Sequence, residues 1–267
     1  MAKISTSAST LMPVADARAR ILDAMKTVSA ESVSLAQARG RVLADDVIAR
    51  VTQPPVAVSA MDGYAVRAAD VASVPATLTV IGEAPAGGAF DGNVGAGQAV
   101  RIFTGGPVPT GADAIVIQED TMRDGDQVTV KEAVLAGRFI RPAGLDFSAG
   151  DVGVEAGRTL TARDIALCAA MNVPWLRVRR RPRVAVLANG DELVMPGDTI
   201  GPNQIVSSNN VGLCALIDAS GGEAIDLGIA PDDADGLVAM AAGARGADLL
   251  ITIGGASVGD HDLIQSV

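Results

Sequence analysis

Carboxylates gather in three short stretches, "NGDELVMPGD" at 189–198, "GIAPDDAD" at 228–235 and "GGASVGDHD" at 254–262, and each follows an apolar run of the kind that forms a buried strand. If those runs are strands of one parallel sheet, their carboxyl ends form the edge at which open α/β sheets bind ligands. Asp191, Glu192, Asp232, Asp233, Asp260 and Asp262 then converge. Crowded carboxylates repel one another unless a proton or a cation lies among them. Oxygen donors without a Cys or His cluster suit a hard ion, Mg²⁺ above all. Asp233 and Asp235 read at least as well as helix N-caps or solvated turn residues as they do as members of the site; for Glu192 and Asp262 the functional reading is favoured. In the third stretch Gly254, Gly255 and Gly259 let backbone amides approach a ligand, and Ser257 adds a hydroxyl, so the loop can hold a phosphate or be an ordinary turn. His261, between two aspartates, reads as a solvated loop residue.

A second set lies earlier in the chain, in "PPVAVSAMDGYAV", "FTGGPVPTGADAIV" and "RPAGLDFSAGD". Turn geometry accounts for Pro107, Pro109 and Gly111. Asp62 asks for more, because a simple Asp-Gly turn does not need the apolar, proline-anchored flanks around it. Thr104 and Asp146 are each open to a turn role and a site role.

The elements that must position these groups follow from periodicity. Val14, Ala17, Ile21, Met25 and Val28 recur at helical spacing after Pro13, and a short second helix is expected over 34–39, with Ser34 as its cap and Gly40 as its stop. "DVIARV" leads as a strand into Pro54-Pro55. From 54 to 139 the pattern is short strands ("ATLTVIG", "QAVRIF", "DAIVIQE", "QVTVKE") with a hairpin signal at "RDGDQ", which reads as a β-rich domain. The helical period returns at Thr161, with Asp164 completing a capping box. Residues 1–53 and 140–180 are thus expected to form a discontinuous helical and linker domain around the insert. From 181 onward "RPRVAVLANG", "NNVGLCALIDASGG", "EAIDLGIA", "PDDADGLVAMAAGARG" and "ADLLITIGG" alternate strand and helix, which implies a parallel sheet with right-handed crossovers. A three-strand sheet with nothing after it is expected to be an incomplete domain.

Composition sets the outer limits. The chain has 267 residues, 49% apolar and 19% charged, with a formal net charge of −10, which fits a soluble globular protein and argues against a nucleic-acid or anionic-membrane surface. No apolar run reaches the ~18 residues of a membrane span, and residues 1–12 lack a signal-peptide pattern, so a cytoplasmic location is expected. Cys168 and Cys214 lie in separate helical segments without ligand spacing and are expected to be reduced.

In chain order, "SAMDGYAV", "TGGPVPTGADAIV", "RPAGLDFSAGD", "NGDELVMPGD", "QIVSSNN", "GIAPDD" and "ITIGGASVGDHD" resemble the molybdopterin molybdenumtransferase family, the MoeA proteins and the related E domain of gephyrin. The likeness runs from about residue 54 to the last residue, and the amino-terminal helices are compatible with it. It implies an α/β multidomain fold: a helical unit with an inserted β-rich domain, then an incomplete, MogA-like parallel-sheet domain over 181–267 that binds molybdopterin. The implied activity is insertion of molybdate into adenylylated molybdopterin with Mg²⁺ and release of AMP. The implied assembly is a homodimer in which the loop bearing Asp62 faces the partner's pterin domain. The molybdopterin adenylyltransferase and acceptor molybdoenzymes are further implied partners.

Residue by residue, Asp62, Thr104, Asp146, Glu192, Asp232 and Asp262 match the family's functional polar positions. Glu192, Asp232 and Asp262 are the implied Mg²⁺ ligands, and Asp62, Thr104 and Asp146 the groups that position molybdate or water. Gly190, Asp191, Ser208, Asn209, Gly254, Gly255, Ser257, Gly259 and Asp260 are the implied pterin-binding positions. The chain departs from the family at Asn189, where Thr is usual, and at Leu145 and Phe147, where an acidic and an aliphatic residue are common. Family members also continue past residue 267, so a non-catalytic pterin-binding or scaffold module stands as the alternative, and a nucleotide phosphohydrolase as a weaker one.

Overall fold

A computed structural model describes residues 12–254. Two compact units divide the chain, Ser32–Arg177 and the segments up to Glu31 and from Val178 onward.

The Ser32–Arg177 unit is built on a mixed six-stranded sheet. Its strands are β1 (Gly63–Val66), β2 (Ala76–Ala84), β3 (Gln98–Ile102), β4 (Ala114–Ile117), β5 (Thr121–Asp124) and β6 (Gln127–Val130), in the order β4-β1-β3-β2-β6-β5. Alternation sends successive side chains to opposite faces. Tyr64, Val66, Ala99, Ala114 and Val116 thereby join one buried cluster, while Ala65, Val100, Ile102 and Ile115 join another, so apolar residues cover both faces. Leu78 and Ala84, both even-numbered on β2, fall in different clusters because a bulge between Val80 and Glu83 inserts one residue and reverses the alternation. The "RDGDQ" hairpin forms as expected, with Asp124 opposite Gln127.

The flanks of this sheet bind each other. Val47–Ile48 pairs with Val152–Val154, Val42 bridges Thr159, and Gln53 bridges Phe147. The flanks also carry α2 (Leu35–Ala38) and α3 (Ala162–Ala170), which lie side by side. The capping box at the start of α3 forms in full: Thr161 Oγ1 accepts from the Asp164 N–H, and the Asp164 carboxylate accepts from the Thr161 N–H and hydroxyl.

In the other unit α1 (Val14–Ala24) buries none of its residues, with Val14, Ile21 and Leu22 exposed. The parallel sheet is as expected: β7 (Arg183–Asn189), β8 (Glu223–Ala230) and β9 (Leu249–Ile253), in the order β8-β7-β9. Central β7 is buried from Val184 to Asn189, as its unbroken apolar run requires. The crossovers carry α4 (Ser208–Ala219) and α5 (Ala234–Ala241), and Leu187, Ala230 and Leu237 pack together. Cys168 is buried, Cys214 half-buried, and both are free thiols.

Candidate functional site

The three mid-chain motifs are tied together within the Ser32–Arg177 unit. Asp62 immediately precedes β1, and its Oδ1 accepts from both the backbone N–H and the hydroxyl of Thr104, at 2.7 and 2.8 Å. Those two bonds, the backbone one first, hold the Asp62 carboxyl below the usual carboxylate range; burial opposes them and Arg101 adds a smaller effect in the same direction. Gly63 is required by close approach, since a Cβ there would overlap the Val116 carbonyl oxygen. Ser59 binds Gly105 and Gly106 through its backbone and Met61 through its hydroxyl. Arg101 donates to the Gly63 carbonyl and the Gln118 side chain, and its guanidinium lies 5.2 and 4.9 Å from the ring centroids of Tyr64 and Phe103. The "RPAGLDFSAGD" loop joins through Ile140 and Arg141, which pair with Ser59 and Val58, and through Gly144, whose N–H reaches the Pro54 carbonyl. Asp146 is exposed, and both its oxygens accept from Arg141 Nη2.

The second group of residues sits at the carboxyl edge of the parallel sheet. Asn189, the last residue of β7, donates from Nδ2 to Asp232 Oδ1 at 3.1 Å. Asp232 Oδ2 accepts from the Asp191 N–H, and the Asp232 N–H returns a bond to Asp191 Oδ1. Gly190 lies so close to the Glu192 carboxylate that a Cβ would overlap it. The loop after β7 is also held to the segment before α4, since Leu193–Val194 pairs with Ile205–Val206. The structure therefore brings Gly190, Asp191, Glu192 and Asp232 together, as the sequence implied, with Gly254 at the adjoining end of β9.

Ser208 and Asn209 are exposed in the first turn of α4. Their neighbour Asn210 is fully buried and binds Asp226 and the Gly228 carbonyl where β8 bulges. Asp233 is an N-cap, accepting from the Gly236 N–H at 2.7 Å. Gly255, Ser257, Gly259, Asp260, His261 and Asp262 lie outside the described residues. Among the described residues no group of three or more His, Cys, Asp or Glu is arranged to hold a metal. Mg²⁺ does not require such a group: it keeps waters and binds through one or two carboxylates plus substrate phosphates. Glu192 and Asp232 are exposed residues whose carboxylates fit that donor chemistry. Sequence reasoning passed over Asn189 and Asn210 as site-building residues; the one signal was an amide at the close of an apolar run, in "LANGDEL".

The family model described as "MoeA N-terminal region (domain I and II)" matches residues 12–172, and "Probable molybdopterin binding domain" matches 185–267. The chain belongs to the MoeA family. The molybdopterin molybdenumtransferase of Nostoc sp. is 40% identical over 242 residues, which cover 89% of this chain and 56% of the relative. Molybdopterin molybdenumtransferase 2 of Mycobacterium tuberculosis is 37% identical, covering 92% and 62%. A crystal structure of the molybdopterin biosynthesis MoeA protein from Pyrococcus horikoshii OT3 superposes with a TM-score of 0.86 at 33% identity, covering 91% of this chain and 66% of that one. The chain thus spans less than two thirds of the length of these MoeA relatives. No helix among the described residues is long and apolar enough to cross a membrane.

Proposed function

We propose that this protein acts in molybdenum-cofactor synthesis as a molybdopterin molybdenumtransferase, inserting molybdate into adenylylated molybdopterin with release of AMP. The observation that carries the reading is the network of Asn189, Asp191 and Asp232 at the carboxyl edge of the parallel sheet, inside the region matching a molybdopterin-binding domain. Oxygen donors here suit a phosphate-bound cation. Glu192 and Asp232, with Asp262 as the third expected ligand, would hold Mg²⁺, which when bound neutralises phosphate charge.

Asp62 supplies an acceptor. Its Oδ1 is taken by Thr104, leaving Oδ2 to accept from a water or a protonated oxygen of the substrate. A carboxyl held below its usual range stays ionised at neutral pH and is a weak base, so its role is to orient rather than to abstract a proton. Thr104 fixes the carboxylate, and the exposed Asp146, braced by Arg141, is a second orienting group. In the proposed homodimer Asp62 acts on substrate held by the partner subunit, in the cytoplasm.

The test is AMP release from adenylylated molybdopterin with Mg²⁺, with and without molybdate. Molybdate-dependent release by the wild-type chain, lost in Asp62→Ala with pterin affinity unchanged, is the expected result. A folded wild-type protein that releases no AMP under either condition overturns the assignment, and full turnover by Asp62→Ala overturns the role of that carboxylate.

A further inference from the structure

Asp62 is held from both neighbouring strands, by different kinds of bond. On the β4 side its carbonyl accepts from the Gln118 N–H, which carries the ladder one residue past the Gly63–Ile117 pair. On the β3 side the ladder stops at Ile102, opposite Gly63. Phe103 then turns its N–H to Ala84 on β2, and Thr104 reaches Asp62 through the carboxylate rather than through backbone pairing. The aim of that carboxylate therefore depends on how β3 and the end of β4 sit about β1.

One side chain ties all three together. Arg101 stands on β3 opposite Tyr64, and in the order β4-β1-β3 it lies across β1 from Gln118. Its Nη1 donates to the Gly63 carbonyl at 3.1 Å and its Nη2 to Gln118 Oε1 at 2.7 Å. The guanidinium is thus bonded to the residue after Asp62 and to the residue whose N–H holds the Asp62 carbonyl. The two rings beside it, Tyr64 and Phe103, belong to the sequence neighbours of Gly63 and Thr104. A guanidinium supplies divergent donors and a planar face at once, where an ammonium supplies a point charge.

We infer that Arg101 is a positioning residue for the transfer reaction, fixing the Asp62 carboxylate and Thr104 in the arrangement that orients the substrate. This rests on the transferase reading above. Arg101 acts through Asp62, with two of its donors committed to protein acceptors. An orienting group works by placement, and a displacement of about 1 Å costs up to about a hundredfold in rate. Loss of the Arg101 bonds, with the two Thr104 bonds still in place, is expected to cost about tenfold.

The experiment compares the wild-type chain with Arg101→Lys, which keeps the charge, Arg101→Met, which removes it, and Gln118→Ala, which removes one exposed acceptor and leaves Arg101 in place. AMP release from adenylylated molybdopterin with Mg²⁺ and molybdate gives kcat and KM, and thermal melting verifies folding. Hydrogen exchange by NMR reads the Thr104 amide against those of Val100 and Val116 in the same sheet. Both Arg101 variants should lose about tenfold in kcat with KM unchanged, and Gln118→Ala about threefold. Exchange should quicken at Thr104 and hold at Val100 and Val116. A KM raised in Arg101→Met and restored in Arg101→Lys makes Arg101 a contact for the anionic substrate and overturns the inference. Equal acceleration at all three amides makes it a general brace of the sheet and overturns it as well. Full kcat in Gln118→Ala overturns it even if neither Arg101 variant folds. If the wild type releases no AMP, the transferase reading fails and the inference with it; an active wild type matched by Arg101→Lys sinks the inference alone.

Discussion

Asp248→Asn removes the charge that fastens β7 to β9 at the end of the sheet away from Asn189. Asp248 Oδ2 accepts from Arg180 Nη1 at 2.6 Å and from the Arg183 N–H at 2.8 Å, and Oδ1 accepts from Arg180 Nη2. These bonds, the Arg180 side chain first, lower the carboxyl pKa to about 2. Against ~3.9 for a free aspartate, at about 1.4 kcal/mol per unit, the ceiling on the stabilisation is about 2.5 kcal/mol. The two side chains are 32% and 26% exposed, so solvent screening reduces the expected effect to about 1 kcal/mol. A carboxylate whose folded pKa is depressed stabilises above its unfolded pKa. The contribution is whole at neutral pH and fades as pH falls from about 4 through about 2. Amide hydrogen exchange across β7 and β9 measures it directly: at neutral pH exchange in the variant should be about fivefold faster, with the gap closing in acid. Equal protection at neutral pH, or a gap that persists at pH 2, refutes the reasoning.

Two further substitutions test the motifs that frame the site. Gly63→Ala drives a methyl into the Val116 carbonyl and should destabilise the Ser32–Arg177 unit by about 2 kcal/mol or more, read as a lowered melting midpoint. Thr161→Ala removes the hydroxyl half of the α3 capping box and should cost about 1 kcal/mol in urea unfolding, followed by the fluorescence of Trp175; an unchanged midpoint would show that the Arg158–Asp164 pair suffices.

Element types were readable wherever one physical signal dominated. The β-α-β-α-β pattern after residue 181 and the "RDGDQ" hairpin appear as expected, because buried strands and tight turns are written in local composition. Helix α1 shows the limit of that signal: its stripe is amphipathic, yet none of its residues is buried, and burial depends on what lies opposite. The acidic edge was legible through topology, since the strand-end rule gathers Asp191, Glu192 and Asp232 without any contact being known. The partnership of Asp62 with Thr104 was not, because the two residues are 42 apart and meet only after the sheet forms. The N-cap reading of Asp233 was available from its place just before a helical run, whereas the bonds of Asp232 to Asn189 and Asp191 depend on backbone placement across 43 and 41 positions. Asn210 was hidden for a related reason: a polar residue at a helix start gives no sign that it fills a bulge in the strand that follows.

The flank pairing of the Ser32–Arg177 unit also governs how the chain can fold. The Ala149 N–H reaches Thr52 across 97 positions and the Ala156 N–H reaches Asp46 across 110. Closing a flexible loop of that size costs about 4 kcal/mol of chain entropy before any contact returns it. The six-stranded sheet lies inside the loop, and once folded it shortens the path between the flanks. Forming the sheet first is therefore the order that costs the flank pairing least chain entropy. During synthesis the segment 32–53 emerges early and must wait for its partners, so for that interval Val47 and Ile48 present an unpaired strand edge to other chains.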